Sequence, residues 1–189
     1  MKALFVHGLC SDKNSKTGGF VKEILKSRDF EVLTDTFDLL KPEETLGKIR
    51  TYAAQVDMLI GTSLGAFYVL ATGTNATPIR KIVLNPCMFP SIEVPKLQGI
   101  PEETLLAWQQ LEKNVYETVD ENKKLSTFGA FADDDELFSY RDFFVQKYGR
   151  AVKGENGIKN YAFGPGKHRL TYEEIVPFLS EGMKYLFEV

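Results

Sequence analysis

Val56-Asp57-Met58-Leu59-Ile60-Gly61-Thr62-Ser63-Leu64-Gly65-Ala66-Phe67-Tyr68-Val69-Leu70-Ala71 joins a short apolar run to an apolar helical pattern, and the junction is the pentapeptide Gly61 to Gly65. A serine at a strand-to-helix turn of the form GxSxG is forced into a sparsely populated backbone conformation. Its neighbours two positions away must lack side chains so that strand and helix can approach closely. Gly61 and Gly65 meet that demand, and Ser63 becomes a candidate nucleophile.

Outward from this junction the same alternation repeats. Ala3 to Val6, Phe30 to Phe37, Val56 to Ile60, Lys81 to Asn85, Leu125 to Ala132 and Ile158 to Phe163 read as strands. Phe20 to Ser27, Pro42 to Gln55, Leu64 to Gly73, Leu137 to Lys147 and Tyr172 to Phe187 read as amphipathic helices between and after them. Strand-helix alternation implies an α/β protein with a mainly parallel sheet covered on both faces, a three-layer αβα arrangement. Pro42-Glu43-Glu44 and Pro101-Glu102-Glu103 are good helix starts, with proline in the first turn and carboxylates at the positive end.

One connection breaks the rhythm. Residues 86–124 separate the fourth and fifth strands, too long for a simple crossover. Glu102 to Asn122 carries Leu105, Trp108, Leu111, Val115 and Val119 at helical spacing, while Cys87-Met88-Phe89-Pro90 through Pro95 is irregular and apolar. A long excursion at a strand's carboxyl end is where lids and pockets are commonly built. The segment reads as either a lid or an enlarged crossover, within one domain spanning 1–189.

Composition narrows the function. A chain of 189 residues suits a single core that buries roughly 70% of its unfolded surface. The net charge of -3, with charges of mixed sign, gives no reason to expect nucleic acid as a partner. The run ending at His7-Gly8 is too short for a signal core, and no stretch approaches the roughly 20 apolar residues that span a bilayer. With only Cys10 and Cys87, a reducing compartment fits best, so a soluble cytoplasmic protein is expected. Both thiols follow predicted strands and read as small buried hydrophobes near one sheet edge. Two histidines and two separated cysteines make no zinc cluster, and neither GxxxxGK[ST] nor GxGxxG occurs, so no metal and no cofactor are expected. Asn75-Ala76-Thr77 matches a glycosylation acceptor, without meaning in a chain lacking a secretion signal. Oligomeric state is open.

A serine hydroxyl needs a base to take its proton, and the base needs a third group to orient it. The histidines are His7 and His168 alone. His168 lies in the turn-rich loop Gly164-Pro165-Gly166-Lys167-His168 before the last helix, which opens on the same sheet edge as Ser63 if the strands run parallel. It is the candidate general base; its plain alternative is an ordinary surface histidine. His7 reads as a structural residue holding the loop after the first strand. The acid is expected from Asp133-Asp134-Asp135-Glu136, in the chain order Ser, Asp, His. Asp135 is favoured because the apolar pair Leu137-Phe138 follows where such a loop turns back into a helix; Asp133 is the runner-up. The backbone N–H groups of Leu9 and Leu64 are the oxyanion-hole candidates, each such donor contributing about 2.7 to 4 kcal/mol to a transition state. Met88 and Phe89 are candidate substrate-binding residues, and Trp108 either joins them or packs in the core.

Taken in order, His7-Gly8, the Gly61 to Gly65 elbow, Asn85-Pro86, the acidic loop and His168 resemble the α/β-hydrolase superfamily, and among it the small YqiA-like bacterial esterases. The resemblance covers nearly the whole chain. It implies a compact core with a sheet ordered 2-1-3-4-5-6, a short helical excursion after the fourth strand, and a ligand crevice between the first and third strands. It departs where relatives carry a glycine before the acid and this chain has Asp134, and 86–124 has no clear counterpart. The expected activity is hydrolysis of small carboxylic esters or thioesters through Ser63, His168 and Asp135. The competing readings are a non-catalytic binding protein on the same fold and an acyltransferase using the same serine.

Overall fold

The computed structural model describes residues 1–73, 78–150 and 158–187, so the Asn75-Ala76-Thr77 acceptor falls outside the described residues. Strands β1 (Lys2–Val6), β2 (Glu31–Thr34), β3 (Met58–Thr62), β4 (Arg80–Leu84), β5 (Thr127–Ala132) and β6 (Tyr161–Gly164) form one sheet in the order β2-β1-β3-β4-β5-β6. Every neighbouring pair is parallel. Eight helices accompany it among the described residues: α1 (Lys16–Lys26), α2 (Pro42–Ala53), α3 (Leu64–Ala71), α4 (Pro90–Glu93), α5 (Glu102–Glu117), α6 (Glu121–Leu125), α7 (Arg141–Tyr148) and α8 (Tyr172–Phe187).

The strands are apolar on both faces because both are covered. Leu4, Val6, Leu59 and Val83 face one layer with core residues of α2, α3, α5 and α7. Ala3, Phe5, Met58, Ile60, Ile82 and Leu84 alternate to the other, packed with α1 and α8. Burying each large apolar side chain contributes about 1.5–3 kcal/mol, and a register slip of one residue would exchange the two sets. The expected three-layer architecture and strand order are observed. Since β1 lies between β2 and β3, the chain leaves it in both directions, opening a crevice at the strand carboxyl ends. Among the described residues no helix is long and apolar enough to cross a membrane.

Three boundaries differ from the sequence pattern for physical reasons. Helix α1 starts at Lys16 rather than near Phe20, because the Ser15 hydroxyl accepts the Gly18 N–H at 3.1 Å and caps the helix. Gly18 also lets α1 lie against β1, where a Cβ would stand 3.0 Å from the Phe5 ring. Helix α7 starts at Arg141 rather than Leu137, because the Asp135 carboxylate accepts the N–H groups of Leu137 and Phe138, both at 2.9 Å, and holds them in a turn. The expected helix over Glu102 to Asn122 is two helices, with Asp120 capping α6 through the Lys123 N–H at 2.9 Å.

The 86–124 excursion is tied to the sheet's α3 side. Trp108, fully buried, donates from Nε1 to the Tyr68 hydroxyl at 2.8 Å, and that hydroxyl donates to the Leu39 carbonyl at 2.6 Å. Thr104 donates to the Leu40 carbonyl at 2.9 Å, and Tyr116 donates to the Met88 carbonyl.

Candidate active site

Ser63 sits at the end of β3 with φ 55° and ψ -126°, a left-handed backbone that costs a non-glycine residue about 1–3 kcal/mol. The surroundings hold it there. Its N–H donates to the Leu84 carbonyl at 3.0 Å, and its own carbonyl accepts from Ala66 at 3.1 Å and Cys87 at 3.0 Å. A Cβ at Gly65 would stand 2.1 Å from the His7 carbonyl oxygen, and one at Gly61 2.7 Å from the Ala66 Cα. Both glycines of the motif are therefore sterically required.

His168 Nε2 lies 3.0 Å from the Ser63 Oγ, and its Nδ1 lies 3.1 and 3.0 Å from the two carboxylate oxygens of Asp135. A carboxylate only accepts, so Nδ1 carries the proton and Nε2 presents a lone pair to the serine hydroxyl. The histidine and aspartate side chains are 8% and 5% exposed. The turn that delayed α7 orients Asp135, and the Phe138 ring stands edge-on to the imidazole at a centroid distance of 4.8 Å. Of the three aspartates, only Asp135 is brought to His168. Asp133 and Asp134 spend their N–H groups on the Gly164 and Gly166 carbonyls, and the Asp133 carboxylate reaches Arg141 at 3.5 Å.

The loop bearing His168 is fastened by two further residues. Asn85, with φ 43° at the end of β4, donates from Nδ2 to the carbonyls of Lys167 at 3.0 Å and His168 at 3.1 Å, while its Oδ1 accepts the Ala132 N–H at 2.8 Å. Glu136 accepts the His168 N–H at 3.0 Å, and that hydrogen bond holds its carboxyl below the usual range. Asn85 was visible in the sequence only as part of Asn85-Pro86. Its readable signal is that asparagine tolerates a positive φ after a strand.

Leu9 and Leu64 both line the cleft beside Ser63, and among the described residues neither backbone N–H has a hydrogen-bond partner. Gly8 permits the approach of the first loop, since a Cβ there would stand 3.1 Å from the Ser63 Cβ. His7 is buried, accepts the Phe37 N–H at Nε2 (3.0 Å) and pairs through Nδ1 with the Gly8 carbonyl (2.8 Å), a tie between β1 and the segment after β2.

The cleft measures about 630 Å³. Val94, Leu97, Leu137 and Phe138, with Leu9, Leu64 and Leu170, supply its apolar lining, and Met88 and Phe89 are not part of it. Met88 is fully buried in the core, and Phe89 packs against Tyr116, Tyr140 and Phe143. Both pack with the core cluster just before α4, and Trp108 is core as well. Cys10 and Cys87 both line the cleft, but Cys10 is exposed rather than buried. Burial pushes the Cys87 thiol well up, which keeps it protonated and a poor nucleophile next to Ser63. Among the described residues no group of at least 3 His, Cys, Asp or Glu side chains is placed to hold a metal ion.

No protein-family model matches the sequence, and no curated protein matches it. Solved structures do. Est1E from Butyrivibrio proteoclasticus superposes with a TM-score of 0.73 at 18% identity, over 98% of this chain and 86% of that one. TT1662 from Thermus thermophilus gives 0.65 at 17% identity, over 98% and 89%. FphF, a fluorophosphonate-binding serine hydrolase of Staphylococcus aureus, gives 0.62 at 12% identity, over 98% and 82%. The fold is that of the α/β-hydrolases. Within that α/β-hydrolase fold, Ser63, His168 and Asp135 come from the ends of β3, β6 and β5, and Leu9 from the end of β1.

Proposed function

We propose that the protein is a serine hydrolase of carboxylic esters or thioesters that needs no cofactor, related to the small YqiA-like esterases its motifs resemble. The observation that carries this reading is the continuous contact from the Ser63 hydroxyl to His168 Nε2, and from Nδ1 to Asp135. The serine hydroxyl attacks the ester carbonyl while His168 takes its proton, and the carbonyl oxygen becomes an oxyanion held by the Leu9 and Leu64 N–H groups. The carbon–oxygen or carbon–sulfur bond breaks, and His168 returns the proton to the leaving alcohol or thiol. Water then adds to the acyl-serine with the same base, releasing a carboxylic acid and restoring the hydroxyl. Asp135 keeps the imidazole in the working tautomer and stabilises its protonated form. A fluorophosphonate-binding serine hydrolase among the structural neighbours supports testing Ser63 with the same class of probe.

A non-catalytic binding protein on this fold would need no serine within reach of an imidazole, and the 3.0 Å separation speaks against it. Two free thiols suit a reducing cytoplasm. The test is covalent. A fluorophosphonate probe should label wild type on Ser63 and leave Ser63→Ala unmarked, with hydrolysis of short p-nitrophenyl esters falling about 10³-fold or more. An unlabelled wild type, with ester hydrolysis equal in Ser63→Ala, overturns the proposal; transfer of the acyl group to added alcohols in preference to water would move it to an acyltransferase.

A further inference from the structure

We infer that the ester taken by this cleft carries an anionic group, a carboxylate or a phosphate, on one side of the scissile bond and an apolar group on the other. This deepens the hydrolase reading and rests on it. The cleft has two unlike walls. Val94, Leu97, Leu137 and Phe138 make one, and Val94 and Phe138 belong to the core on the α3 side of the sheet. Ser15, Lys16, Thr17, Arg169 and Thr171, with Leu170 the one apolar side chain among them, make the other, on the side of α1 and the loop entering α8. Ser63 and His168 belong to the same lining.

The cations of the second wall are unpaired, and the Glu174 carboxylate, which accepts the Thr171 N–H at 2.7 Å, is not in the lining. The lining contains Lys16 and Arg169 and no aspartate or glutamate. Among the described residues neither cation forms an ion pair. The Lys16 ammonium rests 5.5 Å from the centre of the Phe20 ring, a contact that leaves its charge free to meet an anion. The first turn of α1 has no acidic residue, so the helix adds positive potential to the same wall. The whole chain carries a net charge of -3, so a cationic wall is not a general feature of its surface. A concave site of one sign concentrates ligands of the other. Hydroxyls of Ser15, Thr17 and Thr171 beside the cations suit the oxygens of a carboxylate or phosphate.

The experiment compares matched esters by kcat/KM. One pair places the charge in the acyl half: the p-nitrophenyl half-ester of adipic acid against p-nitrophenyl hexanoate. The other places it in the alcohol half: the butyrate ester of p-hydroxyphenylacetate against that of its methyl ester, and a phosphonate in place of the carboxylate says which anion is preferred. The anionic member of one pair should be favoured about tenfold, which is about 1.4 kcal/mol. The preference should shrink as ionic strength rises from about 0.01 M to about 1 M and the screening length falls from about 30 Å to about 3 Å. Lys16→Met with Arg169→Met, both exposed side chains, should bring the ratio close to one. Equal kcat/KM in both pairs, or a preference that survives the two substitutions, overturns this inference and leaves the hydrolase reading standing. Hydrolysis of no ester, with Ser63 unlabelled by fluorophosphonate, overturns that reading and this inference with it.

Discussion

Asn85→Asp is the most incisive perturbation of the site, because it changes one atom type and no shape. The side chain is 2% exposed and makes three hydrogen bonds: two donated from Nδ2 to the carbonyls of Lys167 and His168, one accepted from Ala132. Aspartate keeps the acceptor and tolerates the positive φ, but it turns an oxygen towards two carbonyl oxygens. Each lost hydrogen bond costs about 1 kcal/mol net, or about 1–3 kcal/mol where the buried carbonyl is left unpaired, so losing two should cost the variant about 2–6 kcal/mol of stability. The His168 loop should also shift, and a displacement near 1 Å at a catalytic base costs about 10²-fold in rate. Urea unfolding and the rate of fluorophosphonate labelling read the two effects separately. Protonating the new carboxyl restores one donor, so the stability gap to wild type should narrow in acid. An unfolding midpoint and a labelling rate equal to wild type would refute the idea that Asn85 positions the base.

Other substitutions test other parts of the argument. The Lys81 ammonium is fully buried against the Leu70 carbonyl, and burial, helped by the charge of Lys123, brings its pKa down from 10.5 to about 7. Between those values the unfolded chain holds the proton and the folded protein does not, so stability should climb with pH by up to about 4 kcal/mol, and Lys81→Met should remove that climb in urea melts at pH about 7 and about 10. Gly65→Ala drives a methyl to 2.1 Å from the His7 carbonyl and should cost more than about 4 kcal/mol or prevent folding, read by soluble yield and thermal melting, whereas Gly47→Ala, with open space around it, should be harmless. Asp135→Asn leaves the histidine in place but favours the wrong tautomer, and should lower esterase kcat about 10³- to 10⁴-fold with little change in KM, while Asp133→Asn should change neither.

What the sequence made legible follows from how local each signal is. The strand-to-helix turn at Ser63 is written in two glycines whose absent side chains are demanded by contacts within and beside the motif, and periodicity in the apolar residues located every strand and each long helix. Helix α8 could be read to its ends because Tyr172 to Phe187 keeps an amphipathic stripe through Pro177. Asp135 was separable from Asp133 only by its following apolar pair, and the structure adds why that pair matters: its two N–H groups fix the carboxylate. Met88 and Phe89 lie outside the cleft lining, and an irregular apolar stretch looks the same in sequence whether it faces a cleft or a core. That choice depends on α4, a single turn too short to leave a periodic signature. The cationic wall is illegible for a related reason, since Lys16 and Arg169 are far apart in sequence and come to line one cleft only through the fold.

The segment Asn85-Pro86-Cys87 joins the two halves of the chemistry. The Cys87 N–H donates to the Ser63 carbonyl at 3.0 Å, and Leu84 immediately before the segment accepts the Ser63 N–H at 3.0 Å, so the strained serine is clamped from β4 and its extension on both backbone sides. Asn85, between those two clamps, holds the His168 loop through its side chain. Nucleophile and base, 105 residues apart in sequence, are thus referenced to the same three-residue turn rather than to one another. The backbone strain at Ser63 and the positive φ of Asn85 are the local cost of that shared reference. Strand β4 ends at Leu84, and part of the excursion that follows it, Val94, Leu97 and Gln98, lines the cleft.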